Sequence, residues 1–260
     1  MQEKFFVFYT FMKMKKIINT KVITSLVIAT AIVLVGYKLG NVWQKTHYST
    51  NNVSVTGLGS KDFDADLIVW TGSFSRNAPT LAEANKLIKA DIKAVKDFLK
   101  SNGINEKEIN FSSLRINRDY ESIYNNEGNP VGNRFVGYSL FQEISVESKE
   151  LSKIEKTIAE VGNLIEQGIE FTSNEPSYFY TKLADLKLEL LKSATQDALK
   201  RAETIAENAN SSIGNLHEAS MGVFQITGQN TNEDYSWGGS LNTSSKHKTA
   251  SITVRLSFDL

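Results

Sequence analysis

Residues suited to nucleophilic or metal chemistry are few and scattered in this sequence. Its histidines are His47, His217 and His247, and it contains no cysteine. A serine hydrolase needs Ser, His and an acidic residue brought together, and a histidine metal site usually shows an H-x-H or H-x-x-x-H pair. Neither pair occurs here. We therefore expect no catalytic residue, no metal ligands and no cofactor. A hydrolase that uses His217 or His247 is an alternative to the two functions described below.

Two short motifs resemble ligand loops but lack the residues such loops require. The aspartates of DFDAD (62–66) alternate as in a calcium loop, yet position six would be Leu67 instead of Gly and position twelve Ser73 instead of Glu. The period of two instead predicts three carboxylates on one wet face of a strand. GLGS at 57–60 is not a dinucleotide loop, because its third glycine would fall at Asp62.

One polar loop carries aromatic residues and is the candidate interaction site. Its residues are Asp234, Tyr235, Trp237, Gly238 and Gly239, within DYSWGG. Aromatic side chains give much contact area at little cost in side-chain entropy, so this loop could contact a neighbouring subunit or stack on a small ligand such as a sugar. The alternative is that Trp237 folds back over the edge of its own sheet.

Charge is unevenly distributed along a chain of 260 residues whose formal net charge is zero. Residues 1–50 hold seven Lys and one Glu, a net charge of +6, which leaves −6 on the remainder. A mildly acidic folded part lacks the basic surface of a nucleic-acid binder, so we expect no nucleic-acid partner.

The amino-terminal region predicts a membrane anchor. Fourteen residues without charge run from 22 to 35, after a cluster of lysines. This length lies between those of a signal peptide and a membrane span. No small residues follow the apolar run at a suitable place for cleavage, so we expect an uncleaved anchor. The alternative is a signal peptide, with secretion of the folded part after cleavage.

The lysines before the apolar run also predict the orientation of the chain. Basic residues stay on the cytoplasmic side, so residues 1–40 would be a cytoplasmic flank followed by a membrane anchor, and everything after Lys38 would lie outside the cytoplasm. Residues 41–52 are polar and predict a tether. Residues 53–260 would then form the folded domain, with two possible subdomains near 53–148 and 149–260.

The folded part mixes hairpins with single amphipathic helices, which indicates an α+β fold of largely antiparallel sheets covered by helices. We predict strands at 53–58, ended by glycines, and at 62–75, 109–119, 134–148, 169–172, 178–181, 217–227 and 249–258, with a hairpin turn at 125–130. Helices are predicted from a capping box at Thr80 and Glu83 to Gly103, over 151–165, and over 183–210.

The order and spacing of these elements resemble the SIMPL-domain family, the YggE-like proteins of the bacterial envelope. The similarity covers VSVTGLGS, TLAEAN, SNGI, GYSLFQEISV and SATQDALKRAETIAENA, from about residue 53 to 227 plus the last strand. Matching positions are Gly57, Gly59, Glu83, Ala84, Asn85, Gly103, Tyr138, Asp197, Ala198, Ala202 and Ala206. The resemblance implies an envelope α+β protein, in some members a ring-like or channel-like oligomer. It also implies a link to oxidative-stress tolerance, without catalytic residues.

Two functions of different classes follow as expectations. The first is a non-enzymatic, membrane-tethered periplasmic protein that self-associates and acts by protein interaction, since tethering in one plane raises the effective concentration. The second is a binding module for a cell-wall saccharide or another small molecule that uses the loop 234–239.

Overall fold

The computed structural model describes residues 22–39 and 52–260. The first stretch is one helix, α1 (Val22–Leu39), and it belongs to a different unit from residues 53–259. Its length and composition are sufficient for crossing a membrane, and its residues are exposed. The basic flank and the predicted tether, apart from Asn52, lie outside the described residues.

From residue 52 onward the chain has the predicted α+β fold, with antiparallel sheets covered by helices. The strands are β1 (Asn52–Asp64), β2 (Leu67–Ala78), β3 (Ile109–Phe111), β4 (Arg115–Tyr124), β5 (Pro130–Ser148), β6 (Thr172–Ser173), β7 (Ser177–Phe179), β8 (Leu216–Met221), β9 (Gln225–Gly228) and β10 (His247–Asp259). The helices are α2 (Leu81–Ser101), α3 (Leu151–Ala159), α4 (Gly162–Glu166) and α5 (Leu183–Asn208), with a 3₁₀ turn at Glu106–Glu108.

Sheet A has β10 at its centre, with β1 on one side and both β8 and β9 on the other. Strands β8 and β9 run antiparallel to β10. Helix α5 covers one face of the sheet, because alternate residues of β10 meet a stripe of α5 residues spaced three and four apart. The buried residues of this layer are Val53, Val55, Leu186, Leu190, Ala194, Ala198, Ala202, Ile226, Ala250, Ile252, Val254, Leu256 and Phe258.

Helix and sheet approach each other most closely at Gly57 and Gly59 of β1. A Cβ on Gly57 would overlap the backbone of Ala194 and Ala198. The glycines and the alanine stripe of α5 therefore set the distance between the two layers. The prediction that these glycines end the strand is wrong, since β1 continues to Asp64 and the glycines serve the contact with the helix.

Sheet B is built around the antiparallel pair β2 and β5. Strands β3 and β4 pair with the outer side of β5, and β6 and β7 pair with the outer side of β2. Helices α2, α3 and α4 cover one face. The core between them includes Ile68, Trp70, Phe74, Ile88, Val95, Leu99, Leu140, Ile144, Val146, Ile154, Leu164 and Phe171.

Local signals place the ends of the main helix of this layer. Thr80 caps α2 by accepting a hydrogen bond from the Glu83 backbone N–H at 3.3 Å. Gly103 follows the helix at a φ of +79°, a conformation that suits glycine. The predicted N-cap at Thr80 and the stop at Gly103 are confirmed. The Glu83 carboxylate accepts from the Thr80 hydroxyl at 2.9 Å, not from the Thr80 backbone N–H as in a full capping box.

Several predicted boundaries needed correction. The strand predicted over 62–75 is two strands, because the chain turns at Ala65 and Asp66 between β1 and β2. The strand predicted over 109–119 is likewise interrupted between β3 and β4, and the segment 217–227 holds the separate strands β8 and β9. The helix predicted over 151–165 divides into α3 and α4, whereas α5 runs close to its predicted length.

Strands β4 and β5 continue beyond the body of sheet B as a two-stranded projection. Pairing of β2 with β5 ends at Ala78 and Tyr138, but β4 and β5 remain paired from Asp119 with Gly137 to Tyr124 with Pro130. We call residues 119–137 the hairpin arm. The sequence predicted the hairpin but not that it extends past its sheet.

Candidate functional site

The candidate loop lies within residues 229–246, between β9 and β10, and a buried glutamine holds it in place. The Gln225 amide Nε2 donates to the Ser236 carbonyl oxygen at 2.7 Å, and the Ser240 backbone N–H donates to Gln225 Oε1 at 2.7 Å. Gly239, at a φ of +94°, completes a turn in which its N–H donates to the Ser236 carbonyl at 3.0 Å. The loop backbone is therefore fixed from the inside.

A buried lysine fixes the second half of the loop. The side chain of Lys248 is almost fully buried, and its Nζ donates to the backbone carbonyl of Asn242 at 2.6 Å and to Asn242 Oδ1 at 3.1 Å. Burial lowers the pKa of Lys248, and the nearby Glu233 carboxylate partly opposes this shift. Glu233 also accepts from the Gly228 N–H at 3.1 Å, so both ends of the loop are anchored.

The aromatic residues of the loop are presented outward. Trp237 is 100% exposed and Tyr235 is 68% exposed, whereas Ser251 Oγ lies 3.5 Å from the Tyr235 hydroxyl. Trp237 does not cover its own sheet edge, so the fold-back alternative is wrong. Asp234 is exposed, and its backbone carbonyl accepts from Ser240 Oγ at 3.4 Å.

A cavity of about 480 Å³ lies between the loop and the face of sheet A that points away from α5. Since Gly57 and Gly59 face α5, the period of two along β1 turns Leu58 to this outer face. The lining combines apolar surface with hydroxyl and amide groups, namely Leu58, Val223, Tyr235, Trp237, Gln225, Ser251 and Thr253. Such a surface can stack on a sugar ring or seat an apolar side chain of a protein, and it presents no charged nucleophile or base.

The two described histidines lie outside this cavity and contact aspartates. His247 Nδ1 is 2.6 Å from Asp64 Oδ1, and His217 Nδ1 is 3.6 Å from Asp259 Oδ1. Within residues 22–39 and 52–260, neither imidazole hydrogen bonds to a serine. His47 lies outside the described residues.

The aspartates of segment 62–66 make structural hydrogen bonds. Asp62 accepts from Thr249 Oγ1 at 2.6 Å, and Asp66 accepts from the Thr181 N–H at 2.7 Å. The prediction of one shared strand face is wrong for Asp66, because it lies in the turn after β1. In the described part of the chain, no three His, Asp or Glu residues form a group that could hold a metal ion.

Residues of β1 and α5 that belong to the family motifs contact each other in the structure. The Leu58 N–H, on the open edge of sheet A, donates to Asp197 Oδ2 at 2.9 Å. This hydrogen bond lowers the pKa of Asp197, and Arg201, at 2.9 Å, adds to the effect. Ala202 and Ala206 continue the buried stripe. These residues join helix to sheet and surround no cavity with catalytic groups.

Sequence reasoning missed Gln225 and Lys248, which position the candidate loop. The sequence does indicate that Lys248 is buried. It is separated by even numbers of residues from Ala250, Ile252 and Val254 along β10, so the period of two places it on the same buried face. Gln225 carried no such signal, since strand β9 is only four residues long.

The fold and the surface together define an α+β domain with an exposed aromatic loop. An apolar helix precedes this domain in the sequence. The chain belongs to the SIMPL family, as a family model described as a protein of unknown function (DUF541) matches residues 53–258. This confirms the resemblance derived from the motifs.

Two similar proteins carry the same name in different organisms. They are the 26 kDa periplasmic immunogenic proteins of Brucella melitensis biotype 1 and of Brucella abortus strain S19. Each is 26% identical over 198 residues, which cover 74% of this chain and 76% of the relative.

Proposed function

We propose that this chain is a membrane-anchored periplasmic protein of the bacterial envelope that self-associates and acts by protein contact instead of catalysis. The observation that carries the proposal is the concentration of exposed apolar side chains on the hairpin arm. Tyr120 is 57%, Tyr124 61% and Phe135 43% exposed. Apolar surface concentrated in this way typically marks an interaction site.

The location rests on three mutually consistent features. Helix α1 has the length and composition of a membrane span, a basic flank precedes it in the sequence, and both relatives are named as periplasmic. Lysines before the span favour an amino terminus in the cytoplasm and a folded domain in the periplasm. Retention of α1 would keep the domains in one plane and raise their effective concentration.

The absence of cysteine makes the topology directly testable. A single cysteine at Asn126, in the exposed turn of the arm, should react with a membrane-impermeant maleimide in cells whose outer membrane has been permeabilised. A single cysteine at Lys15 should react only after the inner membrane is opened. Labelling of both sites, or of Lys15→Cys alone, before that step would contradict the proposed orientation.

A role by contact is supported by the chemistry of the loop and its cavity. The two histidines that the structure describes, His217 and His247, contact aspartates outside that cavity. The protein interactions would serve tolerance to envelope or oxidative stress. A deletion strain should then be more sensitive to peroxide, and a variant unable to assemble should fail to restore growth. Equal growth of all strains would contradict the stress role.

The aromatic loop supports a second candidate function, the binding of a cell-wall saccharide or another small molecule. The specific observation is Trp237, wholly exposed on an anchored loop beside a cavity with hydroxyl and amide groups. Soluble cell-wall glycan fragments should bind the wild type, and Trp237→Ala should abolish binding without changing the oligomer size. A change in oligomer size without a change in glycan binding would instead assign the loop to subunit contact.

A further inference from the structure

The hairpin arm presents one aromatic face. Tyr120 lies opposite Phe135, with ring centroids 5.7 Å apart and planes at 70°, and Phe135 meets Tyr138 at 5.2 Å and 72°. Tyr124 falls on the same face by the period of two along β4. This face continues the side of sheet B on which Leu140 is buried against the helices. Along the arm that side has no helix cover, and its aromatic rings are exposed.

The arrangement of polar residues on the arm argues for a partner that lies along its side. The turn at its tip is polar, with Asn125 accepting backbone hydrogen bonds from Glu127 at 3.0 Å and from Asn129 at 2.9 Å. A tip that enters a lipid bilayer would instead carry apolar side chains, because polar groups in hydrocarbon are costly. The aromatic face is therefore suited to a protein groove.

An apolar groove of suitable character lies on sheet A of the same chain. It runs between helix α5 and the edge strand β8, with a volume of about 510 Å³. Its apolar lining includes Leu191, Leu199, Leu216, Met221, Leu256 and Phe258. No residue of the arm, which is described in full, lines this groove. All residues of β8 are exposed, so the edge of the groove is open to a neighbour.

We infer that the aromatic face of the hairpin arm of one copy docks into the α5–β8 groove of a second copy. This inference rests on the proposed self-association and names the two surfaces that perform it. A ridge of aromatic rings complements a groove in shape, whereas two ridges do not. The contact is heterologous, since each copy uses one surface as donor and the other as acceptor, and repetition gives a closed ring or an open chain.

The three arm aromatics supply a substantial part of the area that a stable contact needs. Burying a whole aromatic side chain removes roughly 150–250 Å² from solvent. Because Tyr120, Tyr124 and Phe135 are 57%, 61% and 43% exposed, docking would bury roughly 240–400 Å² of these three side chains. A standard protein interface buries about 800 Å² per partner. The arm aromatics therefore account for roughly a third to a half of one side of such an interface, and the other residues of the arm have to supply the remainder.

The test uses full-length protein in detergent and sedimentation velocity. The arm variant is Tyr120→Ser with Tyr124→Ser, and the groove variant is Leu216→Lys with Met221→Lys, all at positions more than half exposed. Ile123→Ser, on the opposite face of the arm, is the matched control. Unchanged thermal unfolding would establish that each variant is folded.

The inference predicts that both variants become single copies while Ile123→Ser assembles like the wild type. Mixing the two variants should restore exactly one intact contact per pair and give a dimer that grows no further. The inference would be overturned if the arm variant were monomeric while the groove variant assembled normally. It would also be overturned if mixing the two variants gave no dimer. Either result leaves self-association in place, whereas a monomeric wild type would overturn the proposed function as well.

Discussion

The carboxylate of Asp197 on helix α5 accepts a hydrogen bond from the backbone N–H of Leu58 on strand β1, with 2.9 Å between Oδ2 and the nitrogen. Strand β1 is the edge of sheet A, so this N–H has no neighbouring strand on that side. Asp197 thus satisfies an edge donor and joins helix to sheet, next to the close approach at Gly57.

Asp197 should make stability depend on pH. The pKa of Asp197 is lowered in the folded state by the Leu58 N–H and by Arg201, so its contribution is present above the unfolded pKa of about 3.9. That contribution is lost as the pH falls through the folded pKa. Asp197→Ala should therefore lower the unfolding temperature at neutral pH, and the difference should shrink in acid.

Thermal unfolding followed by circular dichroism at several pH values measures this effect. Asp234→Ala is the control, because the Asp234 side chain is exposed in the loop. A difference between Asp197→Ala and wild type that stayed constant down to about pH 2 would rule out the charge as its origin.

Gly57 should not tolerate a methyl group. Gly57→Ala places a Cβ against the backbone of Ala194 and Ala198, which cannot move independently of α5. Overpacking of this kind costs about 1–3 kcal/mol. Gly162→Ala is the matched control, since a Cβ there meets nothing within 4 Å. Chemical denaturation should separate the two variants, and equal stabilities would refute the role of Gly57 as a spacer.

Lys248 should keep the aromatic loop resistant to proteolysis. Lys248→Met removes the two hydrogen bonds to Asn242 and frees the loop to open locally. Limited chymotrypsin digestion should then cut after Tyr235 or Trp237 several-fold faster than in the wild type. Lys61→Met removes an exposed ion pair with Glu189 and serves as the control. Unchanged cleavage in Lys248→Met would show that Gln225 is sufficient to hold the loop.

Asp91 should contribute more to stability than a surface carboxylate. It is buried on α2 and pairs with Arg76, whose Nη2 lies 3.0 Å from Asp91 Oδ1 and also donates to the Gly168 carbonyl at 2.7 Å. Asp91→Ala should cost about 1.5–3 kcal/mol, as expected for a hydrogen bond to a charged group. Asp97→Ala, at an exposed position of the same helix, should be nearly neutral in urea denaturation. Equal costs would contradict a structural role for the ion pair.

Elements with strong local signals could be predicted from the sequence. Thr80 and Gly103 mark the ends of α2 through capping and backbone conformation, which depend on neighbouring residues alone. The long stripe of apolar residues along α5 likewise indicates directly which face of the helix is buried. The loop around Trp237 can be identified from the sequence because aromatic residues are unusual in such a polar segment.

Features that depend on distant partners could not be predicted. In the sequence Gly57 has the pattern of a strand end, because nothing in its neighbourhood shows that α5 lies against it. The predicted strand 62–75 is divided at Ala65 because β1 pairs within sheet A, whereas the next strand, β2, pairs within sheet B. The free length of the hairpin arm depends on where β2 stops, near Ala78, and the sequence of the arm itself does not indicate that point.

Native mass spectrometry of the full-length protein, extracted from membranes in detergent, tests the central claim most directly. It reports in one spectrum whether each subunit retains residues 22–39 and how many subunits associate. The account predicts an assembly of several copies, each with the mass of the uncleaved chain. A single copy at all concentrations, or recovery of the folded domain from the soluble fraction without α1, would contradict it.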